Sequence, residues 1–221
     1  MNEPDFTARR MAMVEYQVQG RGITSTLVTE AMRRVRRERF VPEDMQLLAY
    51  EDGPLGIGEG QTISQPYVVA LMIDALNLQG GEKVLDVGTG SGYGAAVLGC
   101  IAGEVFGVER LPTLAARARD VLRAEGFSNV HVYCGDGTLG MPEVAPFDGI
   151  VVAAGGPSVP QALKDQLTIG GRLVMPVGGE HISQDLVRIT RVSASEYESE
   201  SLGGVRFVPL LGAQGWPEEF G

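Results

Sequence analysis

The residues of this chain best suited to hold a ligand are acids and glycines between Asp86 and Gly137. The segment Lys83–Gly99 reads KVLDVGTGSGYGAAVLG, in which an apolar strand leads through Gly88 and Gly90 into a helix. In an open α/β sheet, ligands bind beyond the carboxyl ends of the strands, where glycines let the backbone approach them closely. The helix that follows presents free N–H groups. This segment therefore predicts a cofactor site.

Two classes of cofactor fit this glycine loop. Gly90, Gly92 and Ala95 satisfy the looser form of the dinucleotide fingerprint G-x-G-x-x-G/A. Asp86, two residues before the first glycine, favours S-adenosylmethionine (AdoMet) instead, because a carboxylate there suits the ammonium group of that cofactor. An AdoMet enzyme is the preferred interpretation, and a nicotinamide-dependent oxidoreductase is the alternative.

Two further acids follow later predicted strands, in the sequences GVER and CGDG. Glu109 lies roughly 20 residues past the glycines, where a carboxylate accepts hydrogen bonds from ribose hydroxyls. An Asp-Gly pair alone is common in turns. In the methyltransferase interpretation, Asp136 accepts a hydrogen bond from the adenine amino group and Gly137 leaves space beside it.

A second candidate group lies ahead of the glycine loop, in GEGQTISQPYVVALM, residues 58–72. Ser64 precedes Pro66 by two residues, an order typical of a helix N-cap with proline in the first turn. The Ser64 hydroxyl is also a candidate for chemistry. His131 begins a strand and is interpreted as structural, so the sequence offers no strong general base. A reaction that needs none fits this shortage.

The alternation of strands and helices predicts how these groups are positioned. Helices are predicted at Phe6–Gln19, Ser25–Arg39, Tyr93–Ala102, Thr113–Glu125 and Pro160–Leu167. Strands are predicted at Lys83–Val87, Glu104–Val108, Val130–Tyr133, Phe147–Ala153 and Arg172–Pro176. The pattern predicts a doubly wound, mostly parallel α/β sheet. The tail segments DLVRITRV and GGVRFVPLLG predict an antiparallel edge pair.

Residues 1–221 are predicted to form one domain, with residues 1–60 as a helical extension and active-site loop and residues 61–221 as the core. The formal net charge of -10 argues against non-specific nucleic-acid binding. The basic run MRRVRRERF, residues 32–40, is interpreted as a solvated helix face. No apolar run is long enough to span a membrane, and the N-terminus does not resemble a signal peptide.

Cysteine and histidine usage bears on compartment and on metals. Cys100 and Cys134 stand in apolar segments and are predicted to be buried free thiols in a reducing, cytoplasmic compartment. His131 and His181 are the only histidines, and no cluster of side chains has metal-ligand spacing.

The order of motifs resembles the bacterial type of the protein-L-isoaspartate O-methyltransferase family over nearly the whole chain. The N-terminal segments MVEYQVQGRGI and AMRRVRRERFVP are similar to its first helices, and GQTISQPYVVALM to the signature ahead of its cofactor domain. LDVGTGSGY, GVER, GDG, APFDGIVV, GGRLVMPVG and VRFVPL follow in the same order. The segments GQTISQPY and VRFVPL are specific to this family, whereas the glycine loop alone indicates only a methyltransferase.

This resemblance implies AdoMet as the methyl donor and the α-carboxylate of L-isoaspartyl residues in damaged proteins as the acceptor. It assigns Ser64 to the active-site serine, and Thr62 and Ile63 to the segment lining the acceptor site. It assigns the cofactor contacts to Asp86, Gly88, Thr89, Gly90, Glu109, Asp136 and Gly137.

Three segments depart from the family pattern, at Arg36, at Gly53 and Gly56, and at Ala153–Pro160. They border the acceptor in the family, so a dedicated biosynthetic peptide or a small acid is the alternative acceptor.

Overall fold

The computed structural model describes residues 5–179 and 183–217, and His181 lies outside them. Its centre is a seven-stranded sheet, and a two-stranded hairpin lies ahead of it. The strands of the hairpin are β1 (Leu55–Gly58) and β2 (Gln61–Ile63). The sheet comprises β3 (Lys83–Val87), β4 (Glu104–Glu109), β5 (Val130–Cys134), β6 (Phe147–Val152), β7 (Leu167–Val177), β8 (Gln184–Arg191) and β9 (Tyr197–Val205). The predicted strands of the core are all present.

The strand order β5-β4-β3-β6-β7-β8-β9 confirms the doubly wound arrangement. Strands β3 to β7 are parallel, and the chain reverses its direction across the sheet between β3 and β6. Ligands in such sheets bind at this switch point, beyond the carboxyl ends of the strands. The glycine loop follows β3 directly, so the fold brings it to that position.

Helices cover the two faces of the sheet unequally. Helices α3 (Pro66–Leu76), α4 (Tyr93–Gly99) and α5 (Pro112–Ala124) pack with the N-terminal helices on one face. The other face carries α6, which spans only Gln161–Asp165, and loops around Met141 and Val144. Pro112 begins α5, and Gly126, with a φ of 83°, follows its C-cap. The predicted helix Pro160–Leu167 was too long, because β7 already begins at Leu167.

The N-terminal extension contains α1 (Phe6–Ala12) and α2 (Thr26–Arg34), and a π-helical turn at Met13–Val18 continues α1. The predicted helix Ser25–Arg39 was wrong beyond Arg34, because the chain becomes extended at Val35 (φ -74°, ψ 124°). A separate 3₁₀ turn follows at Arg37–Phe40. This break turns Arg37 into the interior, where it is 0% exposed, so the basic run is not a uniformly solvated face.

The antiparallel edge is present, but the prediction of its last strand was wrong. Strands β7, β8 and β9 pair antiparallel, and β9 ends at Val205 instead of spanning GGVRFVPLLG. Residues of β9 are mostly exposed because it is the outermost strand, so it lacks the apolar pattern of a buried strand. The apolar segment after Val205 makes only isolated pairings, such as Gly155 with Pro209.

No helix within the described ranges has the length and apolar character needed to cross a membrane. Cys100 and Cys134 are free thiols. Cys100 is half-buried and Cys134 is exposed, so the prediction that both are buried was wrong.

Candidate active site

A cavity of about 80 Å³ lies at the carboxyl ends of β3, β4 and β6. Its inner wall is the glycine loop and the ends of these strands, and its outer wall is the segment Val208–Leu211. Four of the residues predicted to contact the cofactor line it: Gly88, Gly90, Glu109 and Gly137. The fold therefore brings together residues that are up to 49 positions apart in the sequence, counted from 88 to 137.

The glycine loop needs glycine for its backbone conformation, and Gly137 after β5 needs it for space. Gly88, Gly90 and Gly92 have φ values of 79°, 54° and 89°, in the left-handed region that favours glycine. A Cβ at Gly90 would lie 3.4 Å from Ile57 of the hairpin, and one at Gly137 would lie 2.5 Å from Val87. A side chain at Gly137 would therefore collide with Val87, a residue of the cavity wall.

Glu109 ends β4 and holds the glycine loop in place. One carboxylate oxygen accepts a hydrogen bond from the Gly90 N–H at 2.8 Å, and the other accepts one from the Leu111 N–H at 2.9 Å. The side chain is buried and lines the cavity. Each carboxylate oxygen has a second acceptor site, so Glu109 can also accept hydrogen bonds from a ligand.

Asp86 lies behind the loop, on the face covered by α4. It is buried, and its Oδ2 atom has no hydrogen-bond partner. Burial raises the pKa of Asp86 to about 7, and the Thr89 hydroxyl opposes this rise. Thr89 is also buried, and its hydroxyl donates to the Asp86 carbonyl oxygen at 3.2 Å. Neither Asp86 nor Thr89 lines the cavity itself.

The pKa of Asp86 predicts a pH-dependent stability of the ligand-free protein. Between 3.8 and about 7 the folded protein keeps a proton that the unfolded chain has lost. The contribution of Asp86 to the free energy of unfolding is therefore greatest below pH 3.8, and it is lost as the pH rises through about 7. The free energy of unfolding of an Asp86→Asn variant, relative to that of wild type, should therefore be higher at pH 8 than at pH 5. Urea denaturation of both proteins at the two pH values measures this, and an equal difference at both would contradict it.

Asp136 is held by two parts of the chain. Its Oδ1 accepts from the Thr138 N–H at 2.9 Å and the Thr138 hydroxyl at 2.6 Å. Its Oδ2 accepts from the Ala213 N–H at 2.8 Å. The carboxylate therefore joins the end of β5 to the C-terminal segment that forms the outer wall of the cavity.

A second cavity, of about 880 Å³, adjoins the first. Ser64 and Thr62 line it, together with residues of the VRFVPL segment and Trp216. The two cavities share Thr62, Ala153, Val208 and Pro209. Ile63, the last residue of β2, is buried and lines neither cavity. The hydroxyls predicted for the acceptor thus face a space beside the glycine-loop cavity.

Ser64 is not a helix cap. Gln65 occupies the N-cap position of α3 and Pro66 its first turn, and no side chain caps this helix. Of the two roles left open for Ser64, the cap is excluded, because the N-cap falls one residue later. Its hydroxyl also makes no hydrogen bond with another described residue, which leaves it available at the cavity surface.

The sequence analysis did not identify two residues that hold the wall of the second cavity: Gln184, which lines it, and Arg37, which lies behind Ser64. Arg37 donates from Nη2 to the carbonyl oxygen of Ser64 at 2.8 Å. Gln184 is buried, and its amide bonds both the N–H and the carbonyl of Phe207, at 2.7 and 3.2 Å. The burial of Arg37 could have been inferred from its position between two apolar residues. Val35 lies two residues before it and Phe40 three residues after it, and both are buried.

The sequence model of the protein-L-isoaspartate(D-aspartate) O-methyltransferase family matches residues 8–215. A Marinobacter nauticus protein named protein-L-isoaspartate O-methyltransferase 2 is 63% identical over 213 residues, or 96% of this chain and 97% of that protein. Protein-L-isoaspartate O-methyltransferase 1 of Rhodopseudomonas palustris is 58% identical over 211 residues, covering 96% of this chain and 86% of that one.

Solved structures agree with these relatives. One described as a protein-L-isoaspartate O-methyltransferase superposes with a TM-score of 0.83 at 28% identity, over 93% of this chain and 67% of the other. A Plasmodium falciparum protein, described as a putative protein-L-isoaspartate O-methyltransferase in complex with S-adenosyl-L-homocysteine, has a TM-score of 0.79 at 26% identity. That match covers 91% of this chain and 98% of the other.

Proposed function

We propose, because the chain belongs to the protein-L-isoaspartate(D-aspartate) O-methyltransferase family, that it transfers a methyl group from AdoMet to the α-carboxylate of L-isoaspartyl residues in damaged proteins. The observation that carries the proposal is the pair of adjoining cavities. One is lined by the glycine loop and Glu109 and the other by Ser64, and Thr62 belongs to both.

The residues that line the smaller cavity, together with Asp86 behind the glycine loop, fit AdoMet. Glu109 offers buried acceptor sites to a ribose, and the unpartnered Oδ2 of Asp86 suits an ammonium group behind the loop. Gly88, Gly90 and Gly137 leave the space that a Cβ would take. The cavity of about 80 Å³ is smaller than typical ligand pockets, which span roughly 300–1,000 Å³. The outer wall of this cavity is the segment Val208–Leu211, and Asp136 holds the chain just beyond it through the Ala213 N–H.

When bound, AdoMet supplies an electrophilic methyl group on a sulfonium. An acceptor carboxylate is already ionised at neutral pH, so the protein needs no general base. Its task is to remove water from the carboxylate and to aim it. Orientation of this kind can supply about 7–11 kcal/mol of the barrier. The Ser64 hydroxyl donates a hydrogen bond to one carboxylate oxygen and leaves the other as the nucleophile.

The large cavity also fits a peptide acceptor better than a small acid. Its volume is about 880 Å³, and all six residues of the segment Gly204–Pro209 line it. The Gln184 side-chain amide holds the backbone of Phe207 through two hydrogen bonds. A wall of this kind can pair with the main chain of an extended substrate.

The reaction product defines the repair test. The methyl ester of an isoaspartyl residue loses methanol when the next backbone nitrogen attacks the ester carbonyl, giving a succinimide that water opens partly to normal aspartate. Incubation of an isoaspartyl peptide with the protein and AdoMet should therefore enrich the aspartyl peptide over many cycles, as followed by chromatography and mass spectrometry. A stable ester that never gives succinimide, or no conversion, would favour a different acceptor.

We assign the protein to the cytoplasm on its free thiols, Cys100 and Cys134, which suit a reducing compartment. The net charge of -10 disfavours binding to nucleic acid.

A further inference from the structure

Arg37 connects three parts of the protein that meet at the two cavities. Its Nε donates to the carbonyl oxygen of Ala49 at 2.7 Å, and its Nη2 donates to that of Ser64 at 2.8 Å. The centre of its guanidinium lies 4.7 Å from the ring centroid of Tyr93. Tyr93 is the first residue of α4, directly after the glycine loop. One side chain thus contacts the N-terminal extension, the Ser64 peptide and the helix on the cofactor side.

The burial of this charge is costly. Arg37 is 0% exposed, and no carboxylate of the described residues lies within 4.0 Å of its guanidinium. Its Nη1 atom has no hydrogen-bond partner either. A buried charge without an ion partner is unfavourable to folding, and burial lowers the pKa of the Arg37 guanidinium. An apolar side chain would fill the same volume without this cost, so packing alone does not account for an arginine here.

The shape of the guanidinium accounts for the choice of residue. Its nitrogens lie in one rigid plane and donate in fixed directions, while its face stacks on an aromatic ring. Arg37 uses this plane to hold the carbonyl groups of Ala49 and Ser64 at the same time, and uses its face to stack on Tyr93. A lysine has one ammonium on a flexible stem and cannot hold all three contacts in one geometry.

We propose that Arg37 is a positioning residue for methyl transfer, which fixes the Ser64 peptide, and with it the Ser64 hydroxyl, relative to the helix that follows the glycine loop. The inference rests on the proposed function, since it assigns Arg37 a role in the same reaction. Arg37 touches neither cavity, so it acts only through Ser64 and Tyr93.

The test compares Arg37→Met and Arg37→Lys with Arg36→Met as the matched control. Arg36 is the preceding residue of the same basic run, but it lines neither cavity, contrary to its expected place beside the acceptor. Its side chain is 53% exposed and pairs with Glu125. For both Arg37 variants we expect kcat with an isoaspartyl peptide to fall about 10- to 100-fold, the effect of losing a hydrogen bond from a charged donor. The Kd for S-adenosylhomocysteine should stay within threefold of wild type. Arg36→Met should keep a wild-type kcat.

Two further readouts separate positioning from general stability. Amide hydrogen exchange in peptides covering residues 61–69 should become faster in the Arg37 variants and not in Arg36→Met. Methylguanidinium added to Arg37→Ala should recover part of kcat. If Arg37→Met does not fold, Arg37→Lys decides alone.

A wild-type kcat in Arg37→Lys with unchanged exchange at residues 61–69 would overturn the inference. An equal loss of kcat and cofactor affinity in the folded variants would also overturn it, since it would indicate only structural damage. An inactive wild-type protein would contradict the proposed function instead, and the exchange measurement would still decide the role of Arg37 in holding Ser64.

Discussion

The Ser64→Ala variant is expected to turn over an isoaspartyl peptide about 10- to 100-fold more slowly than wild type, because a hydrogen bond to a charged acceptor is lost. The hydroxyl lines the larger cavity and caps no helix, so its removal should leave both stability and affinity for S-adenosylhomocysteine unchanged. Steady-state kinetics, thermal denaturation and calorimetric titration measure the three quantities.

Ser25→Ala supplies the matched control for this prediction. Ser25 is a true N-cap, and its hydroxyl accepts a hydrogen bond from the Val28 N–H at 3.4 Å. Its loss should lower stability by about 1 kcal/mol while kcat stays at the wild-type value. An unchanged kcat in Ser64→Ala would show that the hydroxyl has no part in the reaction.

The Glu109→Ala variant is expected to lose cofactor affinity by about 100-fold, because a buried charged acceptor contributes about 1.5–3 kcal/mol for each hydrogen bond. Two effects act together here. The ribose loses its acceptor, and the Gly90 N–H loses the oxygen that holds the glycine loop at 2.8 Å. Calorimetric titration with S-adenosylhomocysteine measures the change.

Glu104→Gln is the control for Glu109, since Glu104 begins the same strand at the opposite end and is exposed. The Glu104→Gln variant should bind S-adenosylhomocysteine with wild-type affinity. Wild-type affinity in a folded Glu109→Ala protein would remove Glu109 from the ribose site, and the glycine loop alone would then have to account for binding.

The centre of the fold could be predicted because its strands are short, mostly apolar runs that alternate with helical segments. A strand such as Lys83–Val87 is buried on both faces of a parallel sheet, so its sequence differs clearly from that of the helices beside it. Strand β9 was predicted at the wrong place for the opposite reason: at the sheet edge its residues are exposed and polar. The apolar residues after it belong to a cavity wall.

The sequence indicated which residues lie at the candidate site, but it indicated only part of the contacts between them. Gly88, Gly90, Glu109 and Gly137 line one cavity as expected. The structure also shows what spacing does not encode: Glu109 bonds the loop itself, Asp136 holds the C-terminal segment, and Arg37 reaches Ser64. These contacts depend on where the chain breaks a helix at Val35 or folds back after β9, which local sequence patterns specify weakly. That residues 1–221 form a single domain stays a prediction.

The most direct test is methyl transfer to a matched pair of peptides that differ only in one isoaspartyl or aspartyl linkage. With labelled AdoMet, the protein should form a base-labile methyl ester on the isoaspartyl peptide and leave the aspartyl peptide unmodified. This selectivity is expected because only the isoaspartyl linkage leaves a free α-carboxylate, the group that we propose is held beside Ser64. Equal labelling of the two peptides, or labelling of neither, would contradict the account.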